Sequence, residues 1–269
     1  TAIKEAMTQA YTTELTVEQY DLLDSLLPHE AKSGRPRTVN MMLVIQGILY
    51  ILVSGCAWRL MPKEYPPSST VYYYFSKWRN DGSWKQIQDR LGEWVRVAED
   101  RDPSPSVASI DSQTVPTAVM VSDTVGYDAG KKTKGRKRFT MVDTLGLLLM
   151  VKVVAADIQE RDGAKQLLTQ MNQERHRVPR LVRIWFDGGF SGSDFLHWVM
   201  DICHWVVDIV LRPNGSKGFV LLPKRWTVER TYGWLHWCRR LNVDYERLPA
   251  SSEAFIYIAM IRLMLRRLA

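Results

Sequence analysis

Three acids in this chain occupy settings that ordinary surface acids do not. Asp111 lies in Ser-Ile-Asp-Ser-Gln-Thr, Asp187 in Ile-Trp-Phe-Asp-Gly-Gly, and Glu229 in Arg-Trp-Thr-Val-Glu-Arg-Thr-Tyr-Gly-Trp. The first two fall within or at the end of apolar runs that read as strands, where an ionised carboxylate is costly unless its charge is offset. A divalent cation offsets it, and hard carboxylate oxygens suit Mg²⁺. Metal ions held this way stabilise the attacking and leaving oxygens of an in-line displacement at phosphorus. The pattern therefore points to metal-dependent phosphoryl transfer, with Asp111, Asp187 and Glu229 as the expected catalytic and metal-binding residues.

Each acid also has a plainer reading. Asp187 is an acceptable turn or helix-capping residue, and Gly188-Gly189 are acceptable turn glycines. Glu229 stands one helical turn from Arg225, so a structural ion pair competes with a catalytic role. Among the rival acids, Asp143 precedes Thr-Leu-Gly and reads as a hairpin-turn residue. Asp157 and Asp162 read as caps of the following helix, with Asp157 a candidate for supporting the three acids. The five histidines show no ligand spacing, and no Gly-rich phosphate loop or nucleophile elbow is present.

Charge supplies the second clue. The 269 residues carry 36 Lys+Arg against 29 Asp+Glu, a net charge of +7, which favours a polyanionic partner. The densest basic tract is Lys131, Lys132, Lys134, Arg136, Lys137 and Arg138, expected as a phosphate-contacting loop beside Asp111. Arg225, Arg230, Arg239 and Arg240 extend a basic stripe along the helix of Glu229. Arg35 and Arg37, in Gly-Arg-Pro-Arg, suit entry into a minor groove. Cys56, Cys203 and Cys238 are scattered and read as small buried apolar residues in a reducing cytosol. The most hydrophobic stretch, residues 41–55, is too short to span a bilayer, and no signal peptide is legible. A cytoplasmic protein without a membrane partner is expected.

These residues need elements to hold them. Residues 1–98 read as helical, a helix-turn-helix-like DNA-binding domain. Thr16 caps a first helix that stops before Pro28, Asn40 caps a second that ends at Gly55, and further helices open at Ser68 or Ser69 and at Trp84. Residues 99–106 are polar with two prolines and read as a linker. From 107 to 269 the texture is α/β. Strands are expected at 107–115, 138–143, 147–155, 181–186 and 205–211, and helices at 163–173, 193–202, 226–241 and 253–268. Three strands followed by alternating helix and strand is the order of a ribonuclease-H-like fold. It predicts a mixed five-stranded sheet with three antiparallel strands and two added in parallel.

With those residues placed, the chain resembles bacterial insertion-sequence transposases of the DDE type, in the group around insertion sequence five. The resemblance covers nearly the whole chain. It is carried by Gly-Cys-Ala-Trp-Arg, Ser-Thr-Val-Tyr-Tyr-Tyr-Phe-Ser-Lys-Trp, Ile-Asp-Ser-Gln-Thr-Val, Val-Asp-Thr-Leu-Gly, Trp-Phe-Asp-Gly-Gly-Phe and Trp-Thr-Val-Glu-Arg-Thr-Tyr-Gly-Trp-Leu. It implies that the family's two Asp and one Glu fall on Asp111, Asp187 and Glu229, with Mg²⁺ or Mn²⁺ as cofactor. It further implies double-stranded DNA as partner, a homodimer on DNA, and cleavage and strand transfer of the element's own ends. Around Glu229 the wider superfamily carries a Tyr and a Lys, which Leu222 and His236 replace here. Two alternatives stay open: a ribonuclease-H-fold nuclease that does not join DNA, and a non-catalytic DNA-binding descendant of a transposase.

Overall fold

The computed structural model describes residues 11–28, 37–211 and 223–269, the side chains of 223–225 excepted. Arg35 and the Arg225 side chain lie outside the described residues.

Four helices lead the chain. α1 (Val17–Asp24) starts at a capping box in which Thr16 and Gln19 satisfy each other's backbone N–H groups. α2 (Met41–Ser54) is capped by Asn40, whose side chain accepts from Leu43 N at 3.3 Å, and stops at Gly55 with φ 73°. α3 (Ser68–Asn80) follows Pro67, and α4 (Ser83–Ala98) follows Gly82. The strands and remaining helices are β1 (Val107–Pro116), β2 (Gly126–Asp128), β3 (Thr133–Asp143), β4 (Leu148–Ala155), α5 (Glu160–Gln173), β5 (Arg183–Asp187), α6 (Ser193–Cys203), β6 (Val206–Val210), α7 (Pro223–His236) and α8 (Pro249–Leu268).

β1 and β4 flank β3 in antiparallel fashion, and β5 and β6 extend the β1 edge in parallel. This is the mixed ribonuclease-H-like arrangement expected from the strand order. The short β2 was not expected; it pairs with the start of β3 beyond the end of β4. Side chains alternate across the sheet. Ala108, Ile110, Phe139, Met141, Ile184 and Phe186 face one way, into a core shared with α5 and α6. Ser109, Asp111, Gln113, Thr140, Trp185 and Asp187 therefore face the other way, toward α7.

The N-terminal helices do not stand apart from the sheet. Phe75, Trp78, Leu91 and Val95 share one core with Val142, Leu148 and Val151 of the sheet and Phe255, Ile258 and Met264 of α8. The 99–106 stretch is tied at both ends: Arg96 Nε donates to Asp102 O at 2.7 Å, and Ser106 O accepts from Val182 N at 3.0 Å. No helix among the described residues is long and apolar enough to cross a membrane.

The basic tract departs most from expectation. Only Lys131 and Lys132 precede the strand, because β3 begins at Thr133. Arg136 and Arg138 are 0% and 1% exposed, and Lys137 is buried too. Arg136 donates to the carbonyls of Glu246 (2.6 Å) and Arg247 (2.8 Å) and sits 3.3 Å from the Asp244 carboxylate. Arg138 donates to Leu241 O at 2.8 Å, and Lys137 to Ile158 O at 2.9 Å and Glu160 at 3.1 Å. A buried cation persists only where carbonyls and carboxylates replace its water, and these three are spent that way. They fasten β3 to the chain around it, which removes them from the expected phosphate contacts.

Candidate active site

The parallel ladder of β1 and β5 pairs Ser109 with Trp185. Two residues further along each strand, on the same face and just past the last paired residues, come Asp111 and Asp187. They line one small cleft with Ser109, Trp185 and Val228. Both are half-buried. The Asp111 carboxylate accepts from Ser112 N at 2.7 Å, and Asp187 from Gly189 N at 2.9 Å. In this sense Asp187 also caps a turn, as its plainer reading anticipated.

α7 brings the third acid. Its Thr227, Val228, Thr231, Tyr232 and Leu235 are buried against the sheet. Thr227 Oγ1 is 3.5 Å from Ser109 Oγ, and at the far end His236 Nε2 is 3.2 Å from the Gln113 amide nitrogen. Nine helical steps of about 1.5 Å and four strand steps of about 3.3 Å span the same ~13 Å, so α7 runs alongside β1 in the same direction. By the same steps Thr231 and Tyr232 reach the level of Asp111, and Glu229 lies roughly 4 Å short of it. One flank of α7 is docked on the β3–β4 turn: Thr231 Oγ1 donates to Gly146 O at 2.7 Å and Arg230 to Leu145 O at 2.9 Å. Gly146 (φ 77°) has no room for a Cβ, which would meet Thr231 Oγ1 at 2.9 Å. His236 projects from the opposite flank, toward Gln113 of β1, and Glu229, seven residues before it, lies exposed on that same flank.

Tyr232 reports the local charge. Burial and the negative Asp111 carboxylate push its hydroxyl well above the ordinary range, so it stays protonated and accepts from Thr140 Oγ1 at 2.7 Å. Among the described residues, no three His, Cys, Asp or Glu side chains are grouped closely enough to hold a metal ion as they stand. The donor chemistry nonetheless fits one: Asp111 and Asp187 line one cleft and Glu229 stands exposed on the helix that packs over it, all hard oxygens.

A family model for the transposase DDE domain matches residues 102–264, and one for transposases of the IS4/5 family matches residues 15–88. The chain belongs to the DDE transposases. No curated protein matches it.

The basic residues of this transposase divide into two sets. Lys131, Lys132, Lys134 and Arg239 are exposed. Arg240 is buried against Glu246, its Nε donating at 2.7 Å, and Arg230 stacks on Trp234 with 4.9 Å to the ring centroid. Arg37 donates to Pro28 O at 3.2 Å and lies over Tyr74. Of the rival acids, Asp143 accepts from Leu145 N and Leu147 N below the β3–β4 turn, as its hairpin reading required, and adds an ion pair with Arg96. Asp157 lines an open cleft of about 350 Å³ that reaches Gly189, and Gln159 holds the α5 N-cap that Asp157 or Asp162 was expected to fill. Sequence reasoning overlooked the Gln113–His236 contact. Its signal was present: Gln113 is two strand residues from Asp111, and His236 is seven helical residues from Glu229, each on its acid's own face. Trp226 and Trp237, on and just beyond α7, are exposed as well.

Proposed function

We propose that this transposase binds the terminal inverted repeats of its insertion sequence and catalyses metal-dependent DNA cleavage and strand transfer into target DNA. One observation carries the reading. Asp111 and Asp187 line one cleft on one sheet face, together with Val228 of the helix that carries Glu229.

Asp111, Asp187 and Glu229 are the residues that would hold Mg²⁺ or Mn²⁺, and the cation, when bound, supplies positive charge to the transferring phosphoryl group. The chain's own residues do the positioning. Thr227, Tyr232 and the Gln113–His236 contact fix α7 against β1 and so set the position of Glu229 relative to the two aspartates. Lys131, Lys132, Lys134 and Arg239 are placed to hold phosphates, giving affinity without sequence information. Trp226 and Trp237 offer flat apolar faces on which unpaired bases stack. Hydrolysis at an element end and attack of the resulting 3′-hydroxyl on a target are both phosphoryl transfers at the same carboxylates. Neither needs a protein nucleophile. Coordinated cutting of two ends calls for two protomers, so a homodimer on DNA is part of the proposal.

The test incubates protein, Mg²⁺ and labelled element ends with a target plasmid. Joined products are expected from the parent protein, and chelation of the metal should abolish them. Asp187→Ala and Asp111→Asn should each lower product formation by more than about 100-fold. Their DNA affinity should stay within about threefold, since phosphate contacts dominate it. Cleaved but unjoined products would favour a nuclease instead. Sedimentation of the DNA complex checks for two protomers.

A further inference from the structure

Between β1 and β2 the chain makes a tight turn over residues 118–121, closed by Val121 N donating to Ala118 O at 2.9 Å. The turn is held from several sides. Ala118 N donates to Asp244 O at 2.9 Å, and Asp244 N to Pro116 O at 2.8 Å. Val121 is buried, and the buried Arg136 donates to Thr124 O at 3.2 Å and Asp123 O at 2.7 Å. At the tip of this braced turn stand Val119, 105% exposed, and Met120, 81% exposed. Turn tips favour Gly, Pro, Asn, Asp and Ser, for conformational and solvation reasons that Val and Met do not meet. Two adjacent apolar side chains in water, on a turn too firmly held to fold them away, are placed to be covered by something else.

Position and charge name the cover. Arg136 and Arg138 alternate along β3 with Thr140, the cross-strand partner of Asp111, so the bracing side chain lies on the face of the acids. Asp111 and Pro116 are about 17 Å apart along an extended strand, or about five base pairs of B-form DNA. Asp123 apart, the exposed charges nearest the turn are cations. Lys134 adjoins Gly135, the partner of Pro116; Lys131 and Lys132 follow β2; and Arg247 pairs with Asp123. That surround attracts a polyanion and repels a second copy of itself.

We propose that this turn is a wedge that inserts Val119 and Met120 between base pairs of duplex DNA, several base pairs from the phosphate held at the acids. The inference rests on the DNA-processing function proposed above. Apolar wedges unstack and kink a duplex, and burial of their side chains offsets the lost stacking. Pyrimidine–purine steps yield most easily.

The experiment uses 40-base-pair mixed-sequence duplexes carrying 2-aminopurine at a TA, CA or AA step and a dye at each end. The full-length parent protein should raise 2-aminopurine emission at the TA or CA step by at least about twofold and shorten the end-to-end distance. The double variant Val119→Ser/Met120→Ser should bind within about twofold of the parent, because both positions are exposed, yet lose the emission rise and the bend. A parent that binds without unstacking any step overturns the wedge, as does a variant that still unstacks. A variant whose only change is a shift from dimer to monomer in sedimentation makes the turn a protomer contact and also overturns it. A parent with no affinity for any duplex defeats the DNA-processing reading itself, which separates the two failures.

Discussion

Asp143 is fully buried beneath the β3–β4 turn, where Leu145 N and Leu147 N donate to it at 2.9 and 2.8 Å and Arg96 pairs with it. Burial pushes its pKa above 3.8, and Arg96 with the turn amides offsets only part of the rise. An acid whose folded pKa exceeds its unfolded value lends stability that is complete below the unfolded pKa and drains away as pH rises through the folded one. Arg96→Met removes the cation and raises that pKa further. The variant should lose about 3–5 kcal/mol at neutral pH, and the gap to the parent should narrow as pH falls toward about 4. Urea unfolding at several pH values measures it; a gap that widens in acid contradicts the assignment. Two thiols make a second prediction at this scale. Burial pushes Cys203 and Cys238 up to about 11, so at neutral pH neither is a thiolate. Iodoacetamide should leave both unmodified in the folded protein, as read by peptide mass spectrometry, and rapid labelling of either would show that its core opens.

Among the elements, the β2–β3 hairpin depends on one carboxylate. Burial acts to raise the Asp128 pKa, but the Thr114 hydroxyl (2.5 Å), the backbone amides of Lys131 and Gly130, and nearby Lys137 together hold it below 3.8. Its stabilisation is therefore present above pH 3.8 and lost as pH falls through the lower folded value. Asp128→Asn should cost about 1 kcal/mol at neutral pH and little near pH 3, as compared by chemical denaturation. An equal cost at both would assign the effect to shape and not charge. The hairpin also shows where the sequence stopped being legible. α1, α2, β1, the β3–β4 hairpin and α5–α8 were readable because caps, glycines and apolar periodicity are local signals. The first half of β3 was not. Lys-Thr-Lys-Gly-Arg-Lys-Arg looks like a solvated loop until one knows that carbonyls of Leu241, Glu246 and Arg247, a hundred residues later, await the arginines. Asp111 and Asp187 were readable as acids on strands. That Glu229 shares their side of the sheet depended on how α7 docks, which no local pattern specifies.

At the scale of the whole molecule, the helices before residue 99 and the sheet after it share a single core, with Phe75 stacked on Phe255 at 4.6 Å. Phe75→Ala should cost about 3–5 kcal/mol and lower the melting of sheet and helices together in one calorimetric transition. Two separated transitions would show that the halves are only loosely joined. The parallel course of α7 beside β1 constrains the chain in another respect. An extra residue between Ser109 and Asp111 would turn the first carboxylate to the far side of the sheet, among the companions of Ile110, because strand residues alternate. An extra residue between Thr227 and Glu229 would swing the last acid about 100° around its axis. Descendants of this chain that keep these acids together must therefore copy β1 and the Thr227–Glu229 stretch of α7 residue for residue.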